Sequence, residues 1–317
     1  MAIGVAYMLG VVVLWSIVPV LIKLLLPVFD PYTIAFLRLS QATGMVLAAC
    51  LLRGRHLRQI QLSWWHVAGG LGVALNYALF ALSLSFTTAT AGVLVVQIQY
   101  VTLAVLAAVV LHERLGAGKI AGILLVLAGV ALIVALRSDV DHLVAPRYAL
   151  GNLLMLFSGV GWGVYALSNK ALAHRMGALA ALLPMLAIAT AITGALATAG
   201  FELHSSPTAT DLVVVLVLGT AATGAAFILI SKAMGRLSAA LAGTLTGITP
   251  VTQIMVAHLA LDEPLSENLA AGGTLILGGV LAMVLAERRG KRFRDAYSRS
   301  CVKRRMDVST TDSGSSE

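Results

Sequence analysis

Apolar residues run along this chain in long blocks, separated by short breaks that carry proline, glycine or charge. The blocks predict membrane-crossing helices at 3–22, 33–52, 65–85, 89–111, 118–136, 149–170, 178–200, 211–231, 238–260 and 269–286. Such a helix needs about 20 apolar residues to cross a hydrocarbon core of about 30 Å. Several breaks are plain: Pro27–Pro31, the run Arg53-Gly54-Arg55-His56-Leu57-Arg58, Ser138–Pro146 and His204–Pro207. One is inferred from length. Between Gln59 and His112 there is no Asp, Glu, Lys or Arg, and a single helix that long would reach about 80 Å. The chain must turn within it, and Ser85–Thr90, poor in strong helix formers, is the expected place.

The pattern predicts an all-α membrane protein of ten transmembrane helices, and composition agrees. Only 11% of residues are charged and 59% are hydrophobic, with a mean hydropathy of +0.93. A soluble domain carries roughly a quarter charged residues to cover its surface. The net charge of +8 does not point to nucleic acid, because nine of the 22 Lys and Arg residues follow Ala286. A basic tail beside a span reports topology and contact with anionic headgroups. Cys50 and Cys301 form no disulfide framework and have no Cys or His neighbours at metal-ligand spacing. The segment from Met1 lacks a basic start and a small-residue cleavage pattern, so it reads as the first membrane helix.

Charge then orients the spans. With both termini cytoplasmic, the inner segments collect Arg53, Arg55, Arg58, Arg114, Lys119, Lys170, Arg175, Lys232, Arg236 and the tail cations. The outer segments hold Lys23, Arg137 and Arg147, as the positive-inside rule requires. The expected location is the bacterial inner membrane, as a multi-pass protein.

An internal repeat organises the chain. Trp15 to Lys23 (W-S-I-V-P-V-L-I-K) and Trp162 to Lys170 (W-G-V-Y-A-L-S-N-K) place Trp and Lys at an offset of 147. Leu111-His112-Glu113-Arg114-Leu115 matches Leu261-Asp262-Glu263-Pro264-Leu265, and Ala128-Gly129-Val130 matches Gly278-Gly279-Val280, both at an offset of 150. A repeat of five helices, an odd number, inverts its second copy, as in many secondary carriers whose substrate site lies at the midplane between the halves. The expected units are 1–137 and 148–287, followed by a cytoplasmic tail, 288–317, that is basic and then Ser/Thr-rich and too polar to fold past about residue 300.

These residues resemble the EamA-type carriers of the drug/metabolite transporter superfamily over roughly residues 4–286. The marks are the Trp-Ser-x-x-Pro start from Trp15, Asp30-Pro31 followed by Arg38, Glu113 and Glu263 closing the fourth and ninth spans, and Pro250; Tyr100 stands at the position matching Pro250. The resemblance implies a ten-helix, inverted-repeat carrier of amino acids, their derivatives, drugs or other metabolites, often outward.

Polar groups in a span are costly to leave unpaired and face the protein interior or a water-filled cavity. Trp15, Pro19 and Lys23 share one face of the first span, and Trp162, Tyr165 and Asn169 one face of the sixth. The third span offers Asn76 and Phe80, the fourth Gln97 and Tyr100, and the ninth Thr246, Thr249 and Gln253 beside Pro250. Together they predict an amphipathic pocket with no fixed strong charge, suited to a zwitterion or a neutral polar metabolite. Asn76, Gln97 and Gln253 are equally readable as glue between helices, and Trp64 and Trp65 as interface anchors. Lys23 and Lys170 are gate residues or snorkel to the headgroups, and Glu113 and Glu263 are pseudo-symmetric latches or merely interfacial. Arg38, about two turns into the second span, is too deep to lack a partner and reads as a cavity or gate residue. Gly118-x-x-x-Gly122, Gly159-x-x-x-Gly163 and Gly243-x-x-x-Gly247 suit close helix approach.

No Walker loop, GxGxxG or HExxH motif occurs, and no buried catalytic or metal-ligand set lies in the spans. The expectation is a non-enzyme without cofactor whose partners are a small-molecule substrate and the bilayer, with no obligatory protein partner evident. No carboxylate lies in the middle third of a span, and His258 and Glu263 are the nearest proton-relay candidates, which favours a uniporter or exchanger over a proton antiporter. Efflux of an amino acid or derivative by alternating access is expected from the resemblance; import of a vitamin, nucleoside-like compound or sugar stays open.

Overall fold

The computed structural model describes residues 2–52, 61–112, 115–135, 146–200, 202–234, 236, 245, 248–265, 267 and 269–286. The regular elements among them are helices: α1 (Ala2–Leu25), α2 (Pro31–Leu52), α3 (Trp64–Leu84), α4 (Ala89–Val110), α5 (Ala117–Ala135), α6 (Pro146–Met176), α7 (Ala178–Ala199), α8 (Ala209–Ala233), α9 (Thr249–Leu261) and α10 (Leu269–Ala286). Eight stretches are long and apolar enough to cross a membrane, and Ala117–Leu132 and Thr249–Leu261 are shorter apolar helices. Most of the expected span 238–260 before Thr249 lies outside the described residues, as do Glu113, Thr246, Gly243, Gly247 and the tail. Large apolar side chains such as Leu71, Leu124 and Leu259 stand exposed, the surface of a multi-pass membrane protein rather than one built for water.

Local chemistry sets the helix ends. Asp30 Oδ1 accepts from the N–H groups of Tyr32 at 2.9 Å and Thr33 at 3.0 Å, and Pro31 occupies the first turn, so α2 starts there. The turn inferred inside the uncharged stretch is present: α3 stops at Leu84, and Thr88 Oγ1 accepts from Ala91 N–H at 3.1 Å to open α4. α6 runs beyond its expected end at 170 to Met176, because its polar last turns still hold Ala and Leu. It stops at Gly177, whose φ of 85° favours glycine.

Three helices are irregular. α1 is interrupted at Ile17, ahead of Pro19, which has no N–H to give. α4 is broken at Val96–Gln97. α8 carries a π-helical segment, Val217–Ala225, in which Thr223 donates to Leu218 O at 2.8 Å. Such segments are rare and gather at functional sites.

Small residues let the helices close up. A Cβ on Gly72 of α3 would stand 2.6 Å from Gly161 O of α6, and one on Gly161 2.7 Å from Gly72 O. α5 and α10 meet alike through Gly122 with Gly279 and Gly129 with Gly272. α2 meets α7 at Thr43 and Thr190, whose hydroxyl oxygens are 2.8 Å apart. One buried cluster includes Val18, Leu94, Ala257 and Ile276 of α1, α4, α9 and α10. A second includes Leu39, Val73, Tyr165 and Met185 of α2, α3, α6 and α7.

Candidate functional site

A cavity of about 250 Å³ opens among α1, α2, α3, α4, α6, α8 and α9. α1 contributes Trp15 and Val18, α2 contributes Arg38, and α3 contributes Asn76, Tyr77 and Phe80. α4 adds Val96, Gln97, Gln99 and Tyr100; α6 adds Trp162, α8 adds Ile230, and the start of α9 adds Thr249, Pro250 and Gln253. The aromatic wall is ordered by edge-to-face contacts, Trp15 on Trp162 at 5.9 Å and Trp162 on Tyr165 at 5.0 Å between centroids.

The polar groups are held by named partners. Asn76 Nδ2 donates to Ser158 O at 3.0 Å and to Ser158 Oγ at 2.9 Å. Gln97 Nε2 donates to Val93 O at 2.7 Å across the break in α4, and Gln253 Nε2 donates to Trp15 O at 2.9 Å. Arg38 Nε–H donates to Thr223 Oγ1 at 2.8 Å, with the guanidinium carbon 4.5 Å from the centre of the Tyr77 ring. Thr249 Oγ1 is buried without a hydrogen-bond partner among the described residues. The expectation of a pocket with no fixed strong charge is therefore corrected: Arg38 stands in its wall.

Several expected residues lie elsewhere. Tyr165 is buried behind Trp162, against Phe227. Pro19 is buried at the interruption of α1. Asn169 Oδ1 is buried without a partner among the described residues, outside the cavity lining, and Lys170 is exposed. Glu263 works at one end of the bundle. Its carboxylate accepts from Ala89 N–H at 2.7 Å, Thr90 N–H at 2.8 Å and Thr90 Oγ1 at 2.7 Å, and Lys23 Nζ stands 3.8 Å away. The acid thus caps the positive N-terminus of α4. At the same end, His204 N–H donates to Val28 O at 3.0 Å beside the isolated Phe29–Leu203 bridge.

Both halves of the chain match one family of membrane carriers, the EamA-like transporter family, over residues 2–135 and 149–285. The chain belongs to this family. The aromatic amino acid exporter YddG of Ancylobacter novellus is 27% identical over 260 residues, which cover 82% of this chain and 89% of that one. The uncharacterized transporter YetK of Bacillus subtilis is 24% identical over 228 residues, 71% of this chain and 68% of its own. A solved crystal structure superposes with a TM-score of 0.63 at 24% identity, covering 90% of this chain and 98% of the other, a likeness of fold. The protein is thus a small-molecule transporter embedded in a membrane.

Sequence reasoning missed Tyr77, Gln99, Val18, Val96 and Ile230 in this EamA cavity. Tyr77 carried a signal, since it lies three residues before Phe80 on one helical face. Gln99 carried none: on an unbroken helix it points away from Gln97, and the interruption at Val96–Gln97 brings both to the cavity.

Proposed function

We propose that this EamA protein is a secondary transporter that moves a small amphipathic metabolite, an amino acid or derivative, outward across the bacterial inner membrane by alternating access. It works as two inverted five-helix units, 1–137 and 148–287, with both termini and the tail 288–317 in the cytoplasm. The observation that carries the reading is the cavity itself, aromatic-walled and amide-lined, between helices of both halves. Inverted pairing is supported by contacts between repeat mates. Thr43 meets Thr190 and Trp15 meets Trp162, each pair 147 residues apart. Gly122 with Gly279 becomes Gly129 with Gly272 when each partner is moved by 150. His112 and Asp262, also 150 apart, both take left-handed backbone at their helix ends, with φ of 54° and 50°. The relative named as an aromatic amino acid exporter supports the substrate class and direction.

The test is retention of labelled amino acids preloaded into cells with and without overproduced protein. Faster loss of a panel member, abolished by Trp162→Ala at equal expression, is the expected result. Faster uptake with unchanged loss would reverse the direction, and no flux of any compound would remove the transport reading.

A further inference from the structure

Arg38 sets a stronger condition on the substrate than the rest of the cavity does. It lies inside α2, is only 8% exposed, and lines the cavity. One of its five N–H donors goes to Thr223, and the Tyr77 ring covers the guanidinium at 4.5 Å. The four N–H groups on its terminal nitrogens make no hydrogen bond to any described residue. No carboxylate pairs with it among the described residues: Glu263 is engaged by α4 and Lys23, and Asp30 caps α2. A cation held out of water without an anion costs stability. A carboxylate brought by a ligand would relieve that cost.

We propose that Arg38 is the receptor for the carboxylate of the substrate, so that the transported class is small organic monoanions or zwitterions with an apolar, single-ring-sized body. This deepens the transporter reading above and rests on it. The planar guanidinium presents paired N–H groups that match the two oxygens of a carboxylate, and Thr223 and Tyr77 fix its orientation. Trp15, Trp162 and Phe80 receive the apolar body. Thr249, whose hydroxyl oxygen is buried without a partner among the described residues, stands in the same wall. No Asp or Glu lines the cavity among the described residues, so the carboxylate, and not an ammonium group, is the charge that is recognised. The volume of about 250 Å³ suits a ligand of one ring and its polar head. A phosphate dianion calls for more than the one cation, Arg38, that lines the cavity among the described residues.

The test uses the purified full chain, with ligand-induced thermal shift for binding and proteoliposome counterflow for transport. The probes are phenylalanine, N-acetylphenylalanine, phenylalaninamide and phenyl phosphate, with a sugar and a nucleoside as controls. The two carboxylates are expected to bind within about tenfold of each other, and the amide and the phosphate at least about tenfold more weakly, as for loss of a charge-assisted pair. Arg38→Gln should weaken carboxylate binding by about 100-fold while the unliganded protein melts no lower than wild type, because a buried uncompensated charge has gone. Should Arg38→Gln fail to fold, Arg38→Lys carries the test: it keeps the charge, loses the planar fork, and should weaken the carboxylates by about tenfold. Equal binding of phenylalaninamide and phenylalanine, preference for phenyl phosphate, or unchanged carboxylate affinity in Arg38→Lys would overturn the inference. Transport of the amide, the sugar or the nucleoside in preference to both acids would overturn it and leave the transporter reading standing. No binding or flux of any probe would overturn both.

Discussion

Asn76 lines the cavity and also ties two helices together. Its amide donates twice to Ser158, and Ser158 Oγ donates back to Asn76 O at 3.0 Å. The sequence left it readable as glue or as ligand; both amide hydrogens are used as glue, so a substrate meets only its oxygen. Asn76→Leu is expected to destabilise the protein by about 1 kcal/mol, the scale of an interhelical hydrogen bond in a membrane. Thermal unfolding in mild detergent would read this as a lower midpoint, with Ser158→Ala moving the same way. An unchanged midpoint in both would remove the structural role. Arg38 was legible because a charge two turns inside a span is conspicuous. Thr223, which orients it, was not, since a hydroxyl in an apolar helix carries no mark of what it will bond.

Element by element, legibility followed length rather than detail. The turn between α3 and α4 could be read because an uncharged stretch from Gln59 to His112 is too long for one helix. The break inside α4 could not, because it depends on the Gln97 side chain taking up the Val93 carbonyl at 2.7 Å. The π segment of α8 was equally hidden: its composition is that of any span, and what marks it is the fit of Gly219 against Gln41 and Gly224 against Met45 on α2. The end contact of Glu263 belongs to this scale. Glu263→Ala leaves the Ala89 and Thr90 amides without their acceptor and should cost about 2 kcal/mol. It should also loosen the tie between the chain just after α9 and the start of α4. A cysteine introduced at Val96 is expected to react faster with a membrane-impermeant maleimide in that background, whereas an unchanged rate would reduce Glu263 to a helix cap.

For the whole molecule, the charge-poor composition and the recurring offsets of 147 and 150 already pointed to a membrane carrier built from related halves. What they could not tell was which mates touch. Thr43 and Thr190 do, at 2.8 Å, and on the inverted-repeat reading proposed above that contact corresponds to the seam of a homodimer folded into one chain. At such a seam each residue is its partner's own counterpart, as in an isologous interface. Thr43→Val and Thr190→Val should each destabilise, Thr43→Val the more because its hydroxyl also donates to Leu39 O at 2.7 Å, and the double variant by less than their sum. The expected coupling is about 0.6 kcal/mol, with about 1.7 kcal/mol as a ceiling, measurable by a double-mutant cycle on unfolding. On the inverted-repeat reading proposed above, such a seam would tie the halves together across their axis, so that whatever eased one conformation at this contact would bear on its mirror as well.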